Sequence, residues 1–127
     1  MKIEYPIYKF KLSEDQYQII TEENVDSLPY YMKENCLKKA IIISSEDKNG
    51  WNSTELPDLA NFSFIEELLV YWTNIKNIKG IECCSLLKTL WVDNEDRTDI
   101  DFKNSLICRS LFPGIVKIFK IYGRFLH

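Results

Sequence analysis

The cysteines are the side chains of this sequence that could act as nucleophiles or as metal ligands. The 127 residues contain four of them, and these are Cys36, Cys83, Cys84 and Cys108. No two of them have the C-x-x-C spacing of a zinc site, and a nucleophilic thiol needs a base beside it. His127 is the one histidine that could be such a base. We therefore expect reduced thiols, no metal, no cofactor and no enzymatic activity.

A second group with possible chemistry is the acidic segment of residues 93–101, which contains five acidic residues and one basic residue. Carboxylates at this density are the ligands that calcium prefers. The segment lacks the central glycine and the closing glutamate of an EF-hand loop. A solvated acidic loop is therefore the prediction.

Basic residues are concentrated after this segment. Residues 103–127 contain five basic side chains and no acidic one, namely Lys103, Arg109, Lys117, Lys120 and Arg124. Such a segment, together with exposed Trp and Tyr rings, could bind RNA. The five charges are spread out, however, and a polar strand edge that discourages aggregation explains them equally well. The net charge of −3 does not favour a nucleic-acid partner.

Length and hydropathy indicate one domain over residues 1–127. With 46% hydrophobic residues, the chain can bury a core without disulfides or metal. No apolar run approaches the ~20 residues of a membrane span. Residues 1–6 alternate in polarity and include an acid, which is not the pattern of a signal peptide. We expect a cytoplasmic protein with no membrane partner.

The elements that position these residues follow from a repeated apolar pattern. The core Ile65-x-x-Leu68-x-Val70 recurs as Leu87-x-x-Leu90-x-Val92 (87 − 65 = 22). Residues that alternate in this way put their side chains on one side of a strand. The same core occurs at Leu37-x-x-Ala40-x-Ile42 (65 − 37 = 28) and at Val116-x-x-Phe119-x-Ile121 (116 − 87 = 29). Four similar strands are therefore predicted.

This pattern resembles the leucine-rich repeat family, whose signature L-x-x-L-x-L-x-x-N/C-x-L recurs every 20–29 residues. The resemblance spans about Leu28 to Leu126. It implies an α/β fold in which residues 28–127 form a short, irregular solenoid with one parallel sheet of about four strands. The positions of the usual asparagine ladder hold other residues, namely Ser45, Thr73, Glu95 and Arg124. The alternative is an ordinary α/β domain whose strands happen to be similarly spaced.

The N-terminal segment, residues 1–27, is predicted to cap this solenoid. Residues 7–12 alternate in polarity, residues 13–16 have the composition of a turn, and residues 17–20 can form a second strand. This arrangement predicts a β-hairpin. Terminal repeats of a solenoid need a cap over their apolar flank.

The candidate binding surface is the concave face of the predicted sheet. Trp91 lies between Leu90 and Val92, which face the core, so its ring must project from the other side. The predicted partner-binding residues on this face are Ile41, Ile43, Glu67, Leu69, Tyr71, Thr89, Trp91, Asp93, Lys120 and Tyr122. Aromatic and aliphatic side chains with a polar rim are typical of a protein interface. The alternative is that the hairpin, or a second copy of the chain in a homodimer, covers this face.

These observations favour a non-enzymatic protein-binding module. In size, acidity and architecture the chain is similar to small bacterial immunity proteins, which neutralise a toxin by covering its active site; the likeness is general and includes no specific motif. The expected partner is therefore a protein such as a toxin. An RNA-binding accessory protein that uses the basic segment is the alternative.

Overall fold

The fold is one mixed β-sheet with a short helix. The computed structural model describes residues 2–9, 14–46, 49–93 and 117–120, and the account below concerns these residues. The elements are β1 (Ile7–Lys9), β2 (Gln16–Ile19), α1 (Leu28–Glu34), β3 (Lys39–Ile42), β4 (Glu67–Tyr71), a 3-10 helix (Ile81–Cys83), β5 (Thr89–Asp93) and β6 (Lys117–Lys120). The sheet has six strands in the order β1-β2-β3-β4-β5-β6. Among the described strands, only β1 and β2 are antiparallel to each other, so the fold is α/β.

The spacing of the repeats sets the register of the central strands. Lys39 is the Cα partner of Glu67 (67 − 39 = 28), and Glu67 is the partner of Thr89 (89 − 67 = 22). These are the shifts at which the apolar cores repeat, so the predicted parallel pairing of β3, β4 and β5 is confirmed. Residues at equivalent positions of neighbouring repeats therefore lie side by side in rows across the sheet.

The main core lies against one face of this sheet. Its strand residues are fully buried, and they are Ala40, Ile42, Leu68, Val70, Leu90 and Val92. They pack with apolar residues from the segments between the strands, which are Leu28, Met32, Phe62, Ile65, Ile75, Ile78, Ile81 and Leu87. The rows of alternate strand residues thus produce the core that the pattern predicts.

The N-terminal hairpin is confirmed, but it belongs to the sheet rather than standing apart from it. Strand β2 pairs antiparallel with β1 and also parallel with β3, where Gln18 is the partner of Ala40 and Ile19 of Ile41. The parallel array therefore has five strands, one more than predicted. Ile20 is fully buried in the main core, and it precedes Ile42 by the same shift that separates β4 from β5 (42 − 20 = 22). Gln18 obscured this additional copy of the pattern because it is polar at a position that is apolar in the next strands.

The register of β6 differs from the prediction by one residue. Trp91 is the Cα partner of Phe119, and Val92 is the partner of Lys120, whereas the sequence pattern placed Lys120 beside Trp91. Side chains alternate between the faces of a strand, so a shift of one residue exchanges the two rows. Phe119, not Lys120, therefore occupies the row of Ile41, Leu69 and Trp91.

Several predicted features lie outside the described residues. They are the acidic residues beyond position 93, the basic residues Lys103, Arg109 and Arg124, the site residue Tyr122, and the side chains Cys108 and His127.

The turns after β3 and β4 pair their backbone groups without an asparagine ladder, whose positions hold Ser45 and Thr73. Thr73 is fully buried, and its Oγ1 accepts a hydrogen bond from the backbone N–H of Ile75 at 3.2 Å. In the preceding repeat, the backbone N–H of Ser45 donates to Oδ1 of Asn52 at 3.0 Å. These contacts satisfy backbone groups that would otherwise remain unpaired at the strand ends.

Candidate functional site

A second apolar cluster lies on the face of the sheet opposite the main core, which we call the second face. Its buried members are Tyr17, Ile41 and Leu69, and partly buried residues pack around them, namely Tyr8, Ile19, Ile43, Tyr71 and Trp91. Leu90 and Val92 are in the main core whereas Trp91 is in this cluster. The predicted orientation of Trp91 is therefore confirmed.

Two of the predicted contact residues are not available to a partner. Ile41 is fully buried and Leu69 is 3% exposed, so they form the floor of the second face rather than its surface. The N-terminal hairpin helps to bury this part of the second face, because Tyr8 packs against the cluster. The ring of Tyr8, on β1, lies 6.2 Å from the ring of Tyr71, on β4. Since β2 and β3 lie between these strands, the two rings meet above the face.

The accessible part of the second face is its aromatic end. Tyr71, Trp91 and Ile43 belong to this face and are partly buried. Trp72 lies just beyond the end of β4 and is 39% exposed. Trp72 was not among the predicted residues, although an aromatic pair at the end of a strand could have indicated it. The other predicted residues that the structure places on this side are Glu67 and its Cα partner Thr89, both partly buried.

Trp72 has an uncommon backbone conformation. Its φ angle is 54°, a left-handed value that bulky residues rarely adopt. Its carbonyl oxygen accepts hydrogen bonds from Ser44, one from the backbone N–H at 3.3 Å and one from Oγ at 2.8 Å. Ser44 thereby joins the ends of β3 and β4 and holds this aromatic residue at the edge of the sheet.

A network of charged and polar groups borders the other end of the second face. Nζ of Lys39 lies 2.9 Å from Oδ1 of Asp15 and 3.5 Å from Oε2 of Glu67. The hydroxyl of Tyr17 donates to the same Glu67 oxygen at 3.0 Å. Burial, followed by the negative charge of Glu67, raises the pKa of Tyr17 well above its usual value. The hydrogen bond from Lys39 to Asp15 raises the pKa of Lys39. Tyr17 is therefore neutral and Lys39 charged at neutral pH.

For Asp93 and Lys120 the structure describes the strand positions only. Asp93 is the Cα partner of Tyr71, as the sequence pattern predicts. Lys120 occupies a different row from the one predicted, for the reason given above. The central strands thus bring together the predicted residues that lie on β3, β4 and β5.

A cavity of about 490 Å³ opens at the edge where the parallel strands begin. Three charged residues of its wall form a row: Nζ of Lys38 lies 3.3 Å from Oε2 of Glu66, and Nζ of Lys88 lies 3.3 Å from Oε1 of the same carboxylate. Sequence reasoning missed this row, although a signal was present. The three positions repeat at the same shifts of 28 and 22 as the apolar cores (66 − 38 = 28, 88 − 66 = 22).

The titration of Glu66 provides a test of this row. Hydrogen bonds from Lys38, and next from Lys88, lower the pKa of the Glu66 carboxyl group. A carboxyl group with a lowered folded-state pKa contributes stability above its unfolded-state pKa, and that contribution is lost as the pH falls through the folded-state value.

We expect Lys38→Gln to raise the pKa of Glu66 toward its ordinary value, as followed by NMR of the side-chain carboxyl carbon. Lys79→Gln, an exposed change elsewhere, should leave it unchanged; an unaltered pKa in Lys38→Gln would contradict the pairing.

The described cysteines differ in exposure. Cys36 is exposed, Cys83 is partly buried and Cys84 is buried, and none of these three forms a disulfide. Within the described part of the chain, no group of three or more His, Cys, Asp or Glu side chains could hold a metal ion. Over the same residues, no helix has the length and apolar character needed to cross a membrane.

Comparisons with protein-family models, with curated proteins and with solved structures find no match to this chain. The resemblance to leucine-rich repeats therefore rests on the sequence pattern.

Proposed function

We propose that the chain is a short, irregular solenoid of the leucine-rich-repeat type and acts as a non-enzymatic protein-binding module. The repeat shifts of 28 and 22, which coincide with the pairing of β3, β4 and β5, support the solenoid. In such folds each unit packs on its neighbours and the sheet offers an extended surface for a partner.

The observation that carries the binding proposal is the aromatic end of the second face. Tyr71 and Trp91 are only partly buried beside the buried Ile41 and Leu69, and the exposed Trp72 follows directly at the end of β4. A few residues supply most of the binding energy at protein interfaces, and Trp and Tyr are enriched among them. A packed floor also reduces the entropy lost on binding, because the rings are held in place before the partner arrives.

The charged border favours a protein as the partner. Asp15, Lys39 and Glu67 form a network of both signs, which suits the polar rim of an interface. Such groups contribute to the orientation and the rate of association more than to affinity. The partner class that we favour is a toxin, which the chain would neutralise in the cytoplasm by covering its active site. This assignment rests on small size, a net charge of −3 and the architecture.

Affinity capture from the native cytosol tests this proposal. The immobilised wild-type chain should retain a discrete protein that Trp91→Ala loses and that Lys79→Ala, an exposed change elsewhere, retains. Equal retention by wild type and Trp91→Ala would contradict the proposed surface. Enrichment of RNA instead of protein would contradict a protein partner.

Light scattering of the purified chain distinguishes a second copy from another protein. A monomer is the expected result. A dimer that Trp91→Ala converts to a monomer would show that the aromatic end binds another copy of this chain, and it would replace the toxin proposal.

A further inference from the structure

The outer edge of β1 is a free edge of the sheet in the described part of the chain. β1 is the outermost strand of the sheet order and pairs with β2 on one side. An edge strand presents main-chain N–H and C=O groups with which another extended chain can pair. The residues that turn these groups outward therefore decide what the edge can bind.

Ile7 and Lys9 turn their main-chain groups outward. The carbonyl oxygen of Pro6 accepts a hydrogen bond of 3.0 Å from the backbone N–H of Ile19. Pro6 therefore faces β2, and so does Tyr8, because hydrogen-bonded and non-hydrogen-bonded pairs alternate along two antiparallel strands. Ile7 and Lys9 occupy the other positions and direct their N–H and C=O groups to the side on which no described strand lies.

Pro6 does not block this outer edge. Proline commonly protects an edge strand because it lacks a donor, but Pro6 faces β2, so the donor that it lacks is an inward one. The side chain of Asn24 supplies this donor, since its Nδ2 donates to the carbonyl oxygen of Ile19 at 3.0 Å. Asn24 is fully buried, and its Oδ1 accepts from the backbone N–H of Thr21 at 2.9 Å. The inner side of β1 is thus satisfied, and the outer side keeps its donors.

The side chain beside the outer edge is apolar. Ile7 is the Cα partner of Gln18, so it lies in the row that continues with Ala40 and Leu68 in the main core. Ala40 and Leu68 are fully buried, whereas Ile7 is 49% exposed. A further strand with an apolar residue beside Ile7 would remove this surface from water, which favours association.

From these features we propose that the outer edge of β1 binds an extended segment of another protein, which adds to the sheet as a further strand. The N–H and C=O groups of Ile7 and Lys9 pair with the main chain of this segment, and an apolar, β-branched residue of the segment packs beside Ile7. An extended backbone fits because it presents a donor and an acceptor at every second residue, which is the spacing of those on β1.

The charge of Lys9 does not oppose this pairing. Nζ of Lys9 lies 3.4 Å from Oε2 of Glu14, and both side chains reach into solvent. The charge is therefore compensated within the chain. The site is separate from the aromatic end of the second face, which lies on β4 and β5, and it does not depend on the protein partner proposed above.

NMR of the ¹⁵N-labelled chain tests the site with a defined probe, the acetylated and amidated peptide KTVTVTK, whose valine and threonine residues favour an extended backbone. We expect saturable shifts and slower hydrogen exchange of the backbone amides of Ile7 and Lys9. The amide of Tyr8 should change less, because it already faces β2. The matched control is the same peptide with N-methyl groups on two consecutive central residues, which removes a donor from each edge of the peptide. It should bind about tenfold more weakly.

Two variants at one position test the edge on the chain itself. Ile7→Pro removes an outward N–H without breaking a hydrogen bond of the sheet, so the variant should fold and bind KTVTVTK about tenfold more weakly. Ile7→Val keeps the donor and should bind the peptide as the wild type does.

The comparison of the two peptides remains informative if Ile7→Pro does not fold. Absence of saturable shifts, equal affinity for both peptides, or equal affinity of a folded Ile7→Pro and Ile7→Val would overturn the proposal. Shifts of the same amides on raising the protein concentration without peptide would overturn it as well, because they would show a second copy of the chain at this edge.

Discussion

Replacing Leu90 with alanine is expected to lower the free energy of unfolding by about 2–5 kcal/mol. Leu90 is fully buried and belongs to the main core, where it is the Cα partner of Leu68. Truncation removes apolar surface from the core and leaves a cavity that the neighbouring strands can close only in part. Urea denaturation followed by circular dichroism measures the change.

Leu86→Ala is the matched control because it makes the same truncation at a leucine that is 59% exposed. It should alter the free energy of unfolding by no more than about 0.5 kcal/mol. If Leu90→Ala were as mild as Leu86→Ala, the core side of β5 would be wrongly assigned, and the parallel register that places Leu90 beside Leu68 would be wrong with it.

Replacing Trp91 with alanine is expected to weaken binding of the captured partner by at least about 2 kcal/mol, or roughly 30-fold in the dissociation constant. Trp91 projects from the second face beside Leu69, its Cα partner, and its indole ring offers a large apolar surface. Removal of its ring takes away contact area that a partner would desolvate. Isothermal titration calorimetry of wild type and variant against the partner measures the loss.

Thermal melting curves must accompany this titration, because Trp91 is itself partly buried in the second cluster. A ring that projected freely from the sheet would leave the melting temperature almost unchanged on truncation, whereas this packing leads us to expect a moderate decrease. Val25→Ala is the control for lowered stability, since Val25 is partly buried against the main core instead. It should melt earlier but bind the partner normally. A Trp91→Ala variant with normal affinity would show that the ring is structural.

The sequence by itself determined the central sheet. The shifts of 28 and 22 align β3, β4 and β5 in the register that the structure has. The alternation around Leu90 and Val92 then decides which side Trp91 faces. The register depends on the spacing between one strand and the next, and the side that a residue faces depends on alternation within its strand. Both can be read directly from the positions of the apolar residues in the sequence. The row of Lys38, Glu66 and Lys88 follows the same period.

Only the tertiary structure decided how much of the second face remains accessible. Periodicity assigns Ile41 and Leu69 to that face but does not reveal what packs on them. Part of the cover comes from Tyr8, whose ring meets that of Tyr71 although the two lie far apart in the chain. The parallel pairing of β2 with β3 was also not evident, because Gln18 interrupts the apolar pattern of β2. The burial of Ile20 among distant core residues supports this pairing. A periodic pattern shows which side of a strand a residue faces. It does not show which distant residue packs on that side, because such contacts form only when the chain folds.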